Sequence, residues 1–332
     1  MSSSAQQKIL EVAEKLKSQT NLDLIEIDKA FVDYKKDSLS MKTLSEIRDF
    51  PIGRIFGLNA LGVLARNTSR YQESIRLHLK ALRLSEEIKD QESIVNSLNM
   101  LGVSYRRLDE VRLALDFHKQ ALSIAEKVSV KSESILRNTA VSLNSIGNIY
   151  LSLKQYVLAE QQFTKSLKIE KTLGNKLGLA INYQNIGIIK EAQNKLDEAL
   201  LSYRLSLDYN NQIDSKLGKI ICQNSIGQIL LKQNKPEEGL KRIIPTIAEA
   251  EKLGDKYYIT MAKINSGWAL SILKDYPSAE EKLLSGLQMA VANNFNTSAS
   301  EAYSHLAFLY ESMGEYLKAL ENLKKKQLFS EK

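Results

Sequence analysis

The 332-residue sequence has little of what marks several protein classes: one cysteine, three histidines, four prolines, 15 glycines and one tryptophan. A lone Cys222 cannot close a disulfide within the chain, and with three histidines it leaves none of the usual Cys/His zinc sites. So few prolines and glycines do not supply the turns of a β-sandwich or barrel. No apolar run approaches the roughly 20 residues that cross a bilayer. The start, MSSSAQQKILEVAEKLKSQ, lacks the apolar stretch of a secretory signal. These absences favour the cytoplasm, although a trimmed periplasmic fragment would read the same. Catalytic signatures are missing too. GNKLGLA lacks Walker spacing, and no GxSxG, HExxH or CxxC occurs. The expectation is no enzyme, no cofactor and no metal.

Charge of one sign is also scarce. Lys and Arg number 46 against 39 Asp and Glu, a net +7, and the signs are interleaved. No basic stripe carries stacking aromatics, so a nucleic-acid partner is not expected. LKKKQLFSEK reads as a solvated helix end. With 43% hydrophobic residues the chain can build a core.

What is present is a repeat. A glycine recurs in a fixed context: LNALGVLA at Gly62, LNMLGVSY at Gly102, LNSIGNIY at Gly147, YQNIGIIK at Gly187, QNSIGQIL at Gly227 and INSGWAL at Gly267, with Ala307 in the seventh register. The intervals are 40 residues, except 45 between Gly102 and Gly147. Twelve residues after it stand the small side chains Ser74, Ala114, Ala159, Ala199, Gly239, Ala279 and Ala319. Sixteen after it stand His78, His118, Phe163, Tyr203, Ile243, Leu283 and Leu323. Small facing large is what two close-packed antiparallel helices require. Each unit therefore reads as a first helix, A, through the glycine, a short polar turn, and a second helix, B. Gly174 and Gly254 mark B-helix ends.

This pattern resembles the tetratricopeptide repeat family, in the longer-helix form similar to kinesin light chains, Pins-type adaptors and Rap-like bacterial regulators. The resemblance implies an all-α, right-handed superhelix of seven hairpins over residues 51–332, with A helices lining a concave groove, behind an N-terminal helical cap at 1–50. Three departures stand out. The five extra residues within KVSVKSESILRNTAV should lengthen a B helix or its connection. Pro245 should bend its B helix. Residues 1–50 do not fit the register and should form two or three capping helices.

The residues three before, one after and four after the glycine share a face and are expected to line the groove. Three before it stand Asn59, Asn99, Asn144, Gln184 and Asn224, a ladder of amides suited to pairing with a peptide backbone. Asn148 and Gln228 add amides; Trp268 and Phe308 add aromatics; Arg66, Arg106 and Arg107 form a basic cluster suited to a carboxylate. His78, His118 and Cys222 read as packing residues. The function expected is a scaffold that binds an extended segment of another protein, without chemistry and without membrane insertion. Two alternatives stand beside it. One is the sensor region of a larger bacterial signalling protein, covalently joined to a kinase, cyclase or transcription-regulator output domain. The other is a Rap-like phosphorelay regulator, for which Gln6 and Gln7 are present but the N-terminal bundle is short.

Overall fold

A computed structural model describes residues 2–19 and 22–330, which are all-helical apart from turns. The chain divides into two compact units, Met1–Asn175 and Lys176–Lys332. The first opens with α1 (Ser2–Lys17), α2 (Leu24–Ala30), a single 3-10 turn and α3 (Ser38–Glu46). Three hairpins follow: α4 (Pro51–Asn67) with α5 (Tyr71–Glu87), α6 (Gln91–Arg107) with α7 (Val111–Lys127), and α8 (Glu133–Ser152) with α9 (Tyr156–Leu173). The second unit holds four: α10 (Lys176–Ala192) with α11 (Leu196–Gln212), α12 (Lys216–Lys232) with α13 (Pro236–Leu253), α14 (Lys256–Ile272) with α15 (Tyr276–Ala292), and α16 (Asn296–Ser312) with α17 (Tyr316–Ser330). The architecture is the all-α solenoid of helical hairpins that the repeat predicts. No described helix is long and apolar enough to cross a membrane.

The glycine register sets each hairpin. A Cβ placed on Gly62 would lie 2.4 Å from the His78 ring, and one on Gly147 would lie 2.7 Å from Phe163. Gly102, Gly187, Gly227 and Gly267 meet His118, Tyr203, Ile243 and Leu283 in the same way. Those large residues are buried, as are the alanines at the small position. The closeness of the backbones offsets the roughly 1 kcal/mol that glycine costs in a helix interior. The turns also follow a pattern. Ser69, Asp109, Lys154, Asn194, Asn234, Lys274 and Gly314 take left-handed backbone angles between A and B helices, and Gly174 and Gly254 do so at B-helix ends.

The insertion expected in a B helix or its connection falls partly elsewhere. Of the five inserted residues, two enter the connection after α7, and three lengthen the A helix α8, which has 20 residues instead of 17. The B helix α7 keeps 17. A serine explains this: Ser132 caps α8 by accepting from the Ile135 N–H, so the helix begins early. Pro245 does not interrupt α13, which runs from Pro236 to Leu253 with the proline on its exposed side.

The N-terminal helices are a packed element. Ile9, Ala13, Leu16, Ile27, Phe31, Met41, Leu44 and Phe50 form a buried core, with Phe56 and Leu61 of α4 against it. α1 packs on α3 and α3 on α4, where Gly57 lets the backbones close in; α2 touches α4 and also reaches α8.

If the glycine contact sets the hairpins, Gly147→Val lowers stability by about 2 kcal/mol or more through overpacking. The same substitution costs clearly less in a Phe163→Ala background, read as a double-mutant cycle by urea unfolding. Equal costs in both backgrounds would refute the contact.

Candidate peptide-binding surface

The row of amides does not face solvent as expected. Asn59 is buried: its Nδ2 donates to Ser97 Oγ at 3.0 Å, and its Oδ1 lies 2.8 Å from His78 Nδ1. Asn99 is fully buried. Its Nδ2 donates to the Asn138 carbonyl at 3.0 Å, and its Oδ1 accepts from Ser142 Oγ at 2.8 Å and faces His118 Nδ1 at 2.9 Å. A carbonyl oxygen can only accept, so both imidazoles carry their proton on Nδ1. Asn224 is buried, with Nδ2 donating to Thr246 Oγ1 at 2.8 Å. Gln184 is half-buried, donating to Ser225 Oγ at 3.2 Å. Asn144 is half-buried and accepts from Asn148 Nδ2 at 2.8 Å.

The physical reason is the rotation of the A helix. At about 100° per residue, the position three before the glycine lies about 40° nearer the glycine's direction than the position one after it. The amides therefore turn toward the B helix and the next A helix. The exposed row runs through positions ten before, six before and one after. In the second unit it shows Leu177, Ile181 and Ile188 of α10, Leu217 of α12 and Phe308 of α16, all more than a third exposed. Leu177, Ile181 and Gln184 with Leu217 and Ile221 line an apolar pocket of about 250 Å³. This row was visible as repeated apolar residues outside the packing register, in LGLAI and LGKII. Gln228 is half-buried and makes no hydrogen bond among the described residues. Cys222 is buried and its thiol is pushed up by burial.

Trp268 is half-buried and stacks on His305, ring centroids 4.6 Å apart and planes at 16°. It also packs against the buried core of α12, α13 and α14. Beside it, Lys232 Nζ pairs with Glu191 at 2.7 Å, and the Tyr203 hydroxyl donates to the same carboxylate at 2.7 Å.

In the first unit, Arg66, Arg106 and Arg107 stand at the C-terminal ends of α4 and α6, and they make no ion pair among the described residues. Burial and the neighbouring Arg107 charge hold Arg66 and Arg106 below the ordinary guanidinium range. One Arg66 nitrogen, Nη1, is buried without a hydrogen-bond partner. Among the described residues no group of three His, Cys, Asp or Glu is placed to hold a metal ion.

The family model for the tetratricopeptide repeat matches residues 55–127 and 138–212. No curated protein matches the chain in sequence. Solved structures are similar in fold. The apo form of RapI is 15% identical, with a TM-score of 0.70, over 84% of this chain and 98% of that one. The Rap conjugation gene regulator of plasmid pLS20, solved with the Phr* peptide, is 16% identical at 0.64, over 99% and 94%. The apo quorum sensor NprR from B. thuringiensis is 17% identical at 0.66, over 99% and 98%.

The buried histidines make stability depend on pH. Burial, with Arg66 nearby, pushes His78 down to about 3; burial and Arg106 push His118 down to about 4. The unfolded chain takes up these protons near 6.5, the folded chain only far lower. Their contribution is complete above about pH 6.5 and declines as pH falls toward 4, by roughly 1.4 kcal/mol per pH unit for each histidine. A His78→Phe, His118→Phe variant should therefore show a shallower loss of melting temperature between pH 6.5 and 4.5. Parallel pH curves would show that the two imidazoles do not resist protonation.

Proposed function

We propose that this chain, which carries tetratricopeptide repeats, binds an extended peptide segment on its A-helix surfaces and performs no chemistry of its own. The observation that carries this reading is the arginine group of the first unit. Arg66, Arg106 and Arg107 bring three positive charges together without a paired carboxylate, and one guanidinium nitrogen is buried and unbonded. Arg106 and Arg107 are exposed, so their forked donors are open to an incoming carboxylate. In the second unit the exposed Leu177, Ile181 and Leu217 beside an apolar pocket supply a place for a side-chain anchor. The amides that remain within reach are Asn144, Asn148, Gln184 and Gln228, all half-buried. Asn59, Asn99 and Asn224 serve the packing. Phe308 is exposed on this surface, while Trp268 is half-buried and stacked on His305.

A second reading, a peptide-responsive regulator, is favoured by one contact. Helix α2 of the N-terminal element lies against the A-helix face. Leu24, Ile25, Asp28 and Lys29 line a pocket of about 260 Å³ together with Phe56 of α4, Asn96 of α6, and Ser134, Arg137 and Asn138 of α8. A peptide on the first unit would meet α2 directly, so its binding would be felt by the cap. The likeness in fold to a Rap regulator solved with a Phr* peptide agrees with this reading.

The test is selection from an unbiased library of short peptides on the full chain. The wild type should enrich Asp and Glu, and an Arg106→Gln, Arg107→Gln variant should bind the selected peptides about tenfold more weakly, the scale of one lost charge-assisted bond. A folded variant that selects the same sequences with the same affinity would overturn the role of the arginines.

A further inference from the structure

The second unit holds a pocket of about 620 Å³ at the start of α16. Its walls carry three aromatic rings, Tyr257, Phe295 and Phe329, and one carboxylate, Glu301. Tyr257 and Phe295 meet edge to face, centroids 5.3 Å apart at 85°. Tyr257 also meets Tyr258 edge to face, centroids 5.1 Å apart at 83°. Tyr257 is 41% exposed, so the aromatic wall is accessible from solvent.

Glu301 makes no ion pair or hydrogen bond among the described residues. Burial pushes its carboxyl up. The nearest named cation, Lys232, is already committed to Glu191 at 2.7 Å. The carboxylate is thus partly stripped of water and not neutralised by the fold. An apolar occupant would strip it further, and an anion would be repelled. A cation gains twice, from the carboxylate and from the ring quadrupoles. A single carboxylate is too few ligands for a divalent metal ion.

We propose that this pocket is a cation-binding subsite that takes the guanidinium or ammonium of a basic side chain between Glu301 and the rings of Tyr257, Phe295 and Phe329. Its source is a lysine or arginine of the bound peptide, and in that respect the proposal rests on the peptide-binding reading above. The subsite belongs to the second unit alone.

The experiment uses the full chain and two small probes, N-acetylarginine amide and N-acetylnorleucine amide, followed by saturation-transfer NMR. The arginine probe should bind saturably and the norleucine probe should not. Glu301→Gln, which keeps the shape and removes the charge, should weaken the arginine probe about tenfold, and Tyr257→Leu should weaken it by a smaller factor. Arg106→Gln with Arg107→Gln should leave it unchanged. Equal binding of both probes, or full binding by folded Glu301→Gln, would overturn the subsite. The probes need no extended chain. If arginine binds in a Glu301-dependent way while no library peptide is selected, the subsite stands as a site for a free cation and the peptide source falls. If peptides are selected while the arginine probe does not bind, the subsite falls and the peptide reading stands.

Discussion

The close approach of an A helix to its own B helix, with a glycine set against a large side chain sixteen residues on in six of the seven hairpins, governs the rest of the structure. It fixes the rotation of the A helix, and the rotation decides which side chains are spent on packing. The amide three before the glycine falls beside that same large residue, so its role follows from what the residue offers. Where the large residue is histidine, the amide oxygen takes the Nδ1 proton, as in Asn59 with His78 and Asn99 with His118. Phe163 has no proton to give, and Asn144 accepts from Asn148 instead. Tyr203 reaches past its amide to Glu191, and Gln184 turns to Ser225. Ile243 offers nothing, and Asn224 Oδ1 is left buried without a partner. The row of amides is a product of hairpin packing, adjusted hairpin by hairpin.

The hairpins were legible in the sequence because their determinants are local and periodic. Gly187 and Tyr203, or Gly267 and Leu283, sit at a spacing that only an antiparallel pair can bring together. Gly174 and Gly254 announced the ends of their helices in the same way, by a backbone angle that favours glycine. The direction of the amides was not legible. A rotation of about 40° separates a lining residue from a packing residue, and polar side chains do not declare which neighbour will satisfy them. Asn99 looks the same in sequence whether it meets a visiting peptide or Ser142 and His118. The two inserted residues in the connection after α7 match the expectation, and the three that lengthen α8 do not, for a related reason: a serine cap that starts a helix early is a single-residue signal inside a polar stretch. Glu301 was missed because it falls six residues before the register position, on a row the assumed lining excluded.

What distinguishes a structural charge from a binding charge in this protein is whether the fold neutralises it. Lys232 meets Glu191, Lys190 meets Glu198, and Lys17 meets Glu14 and Asp49. Among the described residues Arg66, Arg106 and Arg107 in the first unit have no such partner, and neither has Glu301 in the second. Arg66 and Glu301 are half-buried, which makes their charges costly to hold, whereas Arg106 and Arg107 are exposed. Ala or Leu would fill the same helical positions at lower cost, as Leu151 and Leu231 do at the register position of Arg66 and Arg106. An unneutralised, half-desolvated charge is complementary to an opposite charge that the chain does not itself supply. It gives up less water on meeting that charge than a fully solvated group would. On the peptide-binding reading proposed above, specificity would lie in the unpaired ionic groups of both units and the exposed apolar row of the second. The buried amides hold those groups in place by keeping neighbouring helices in register.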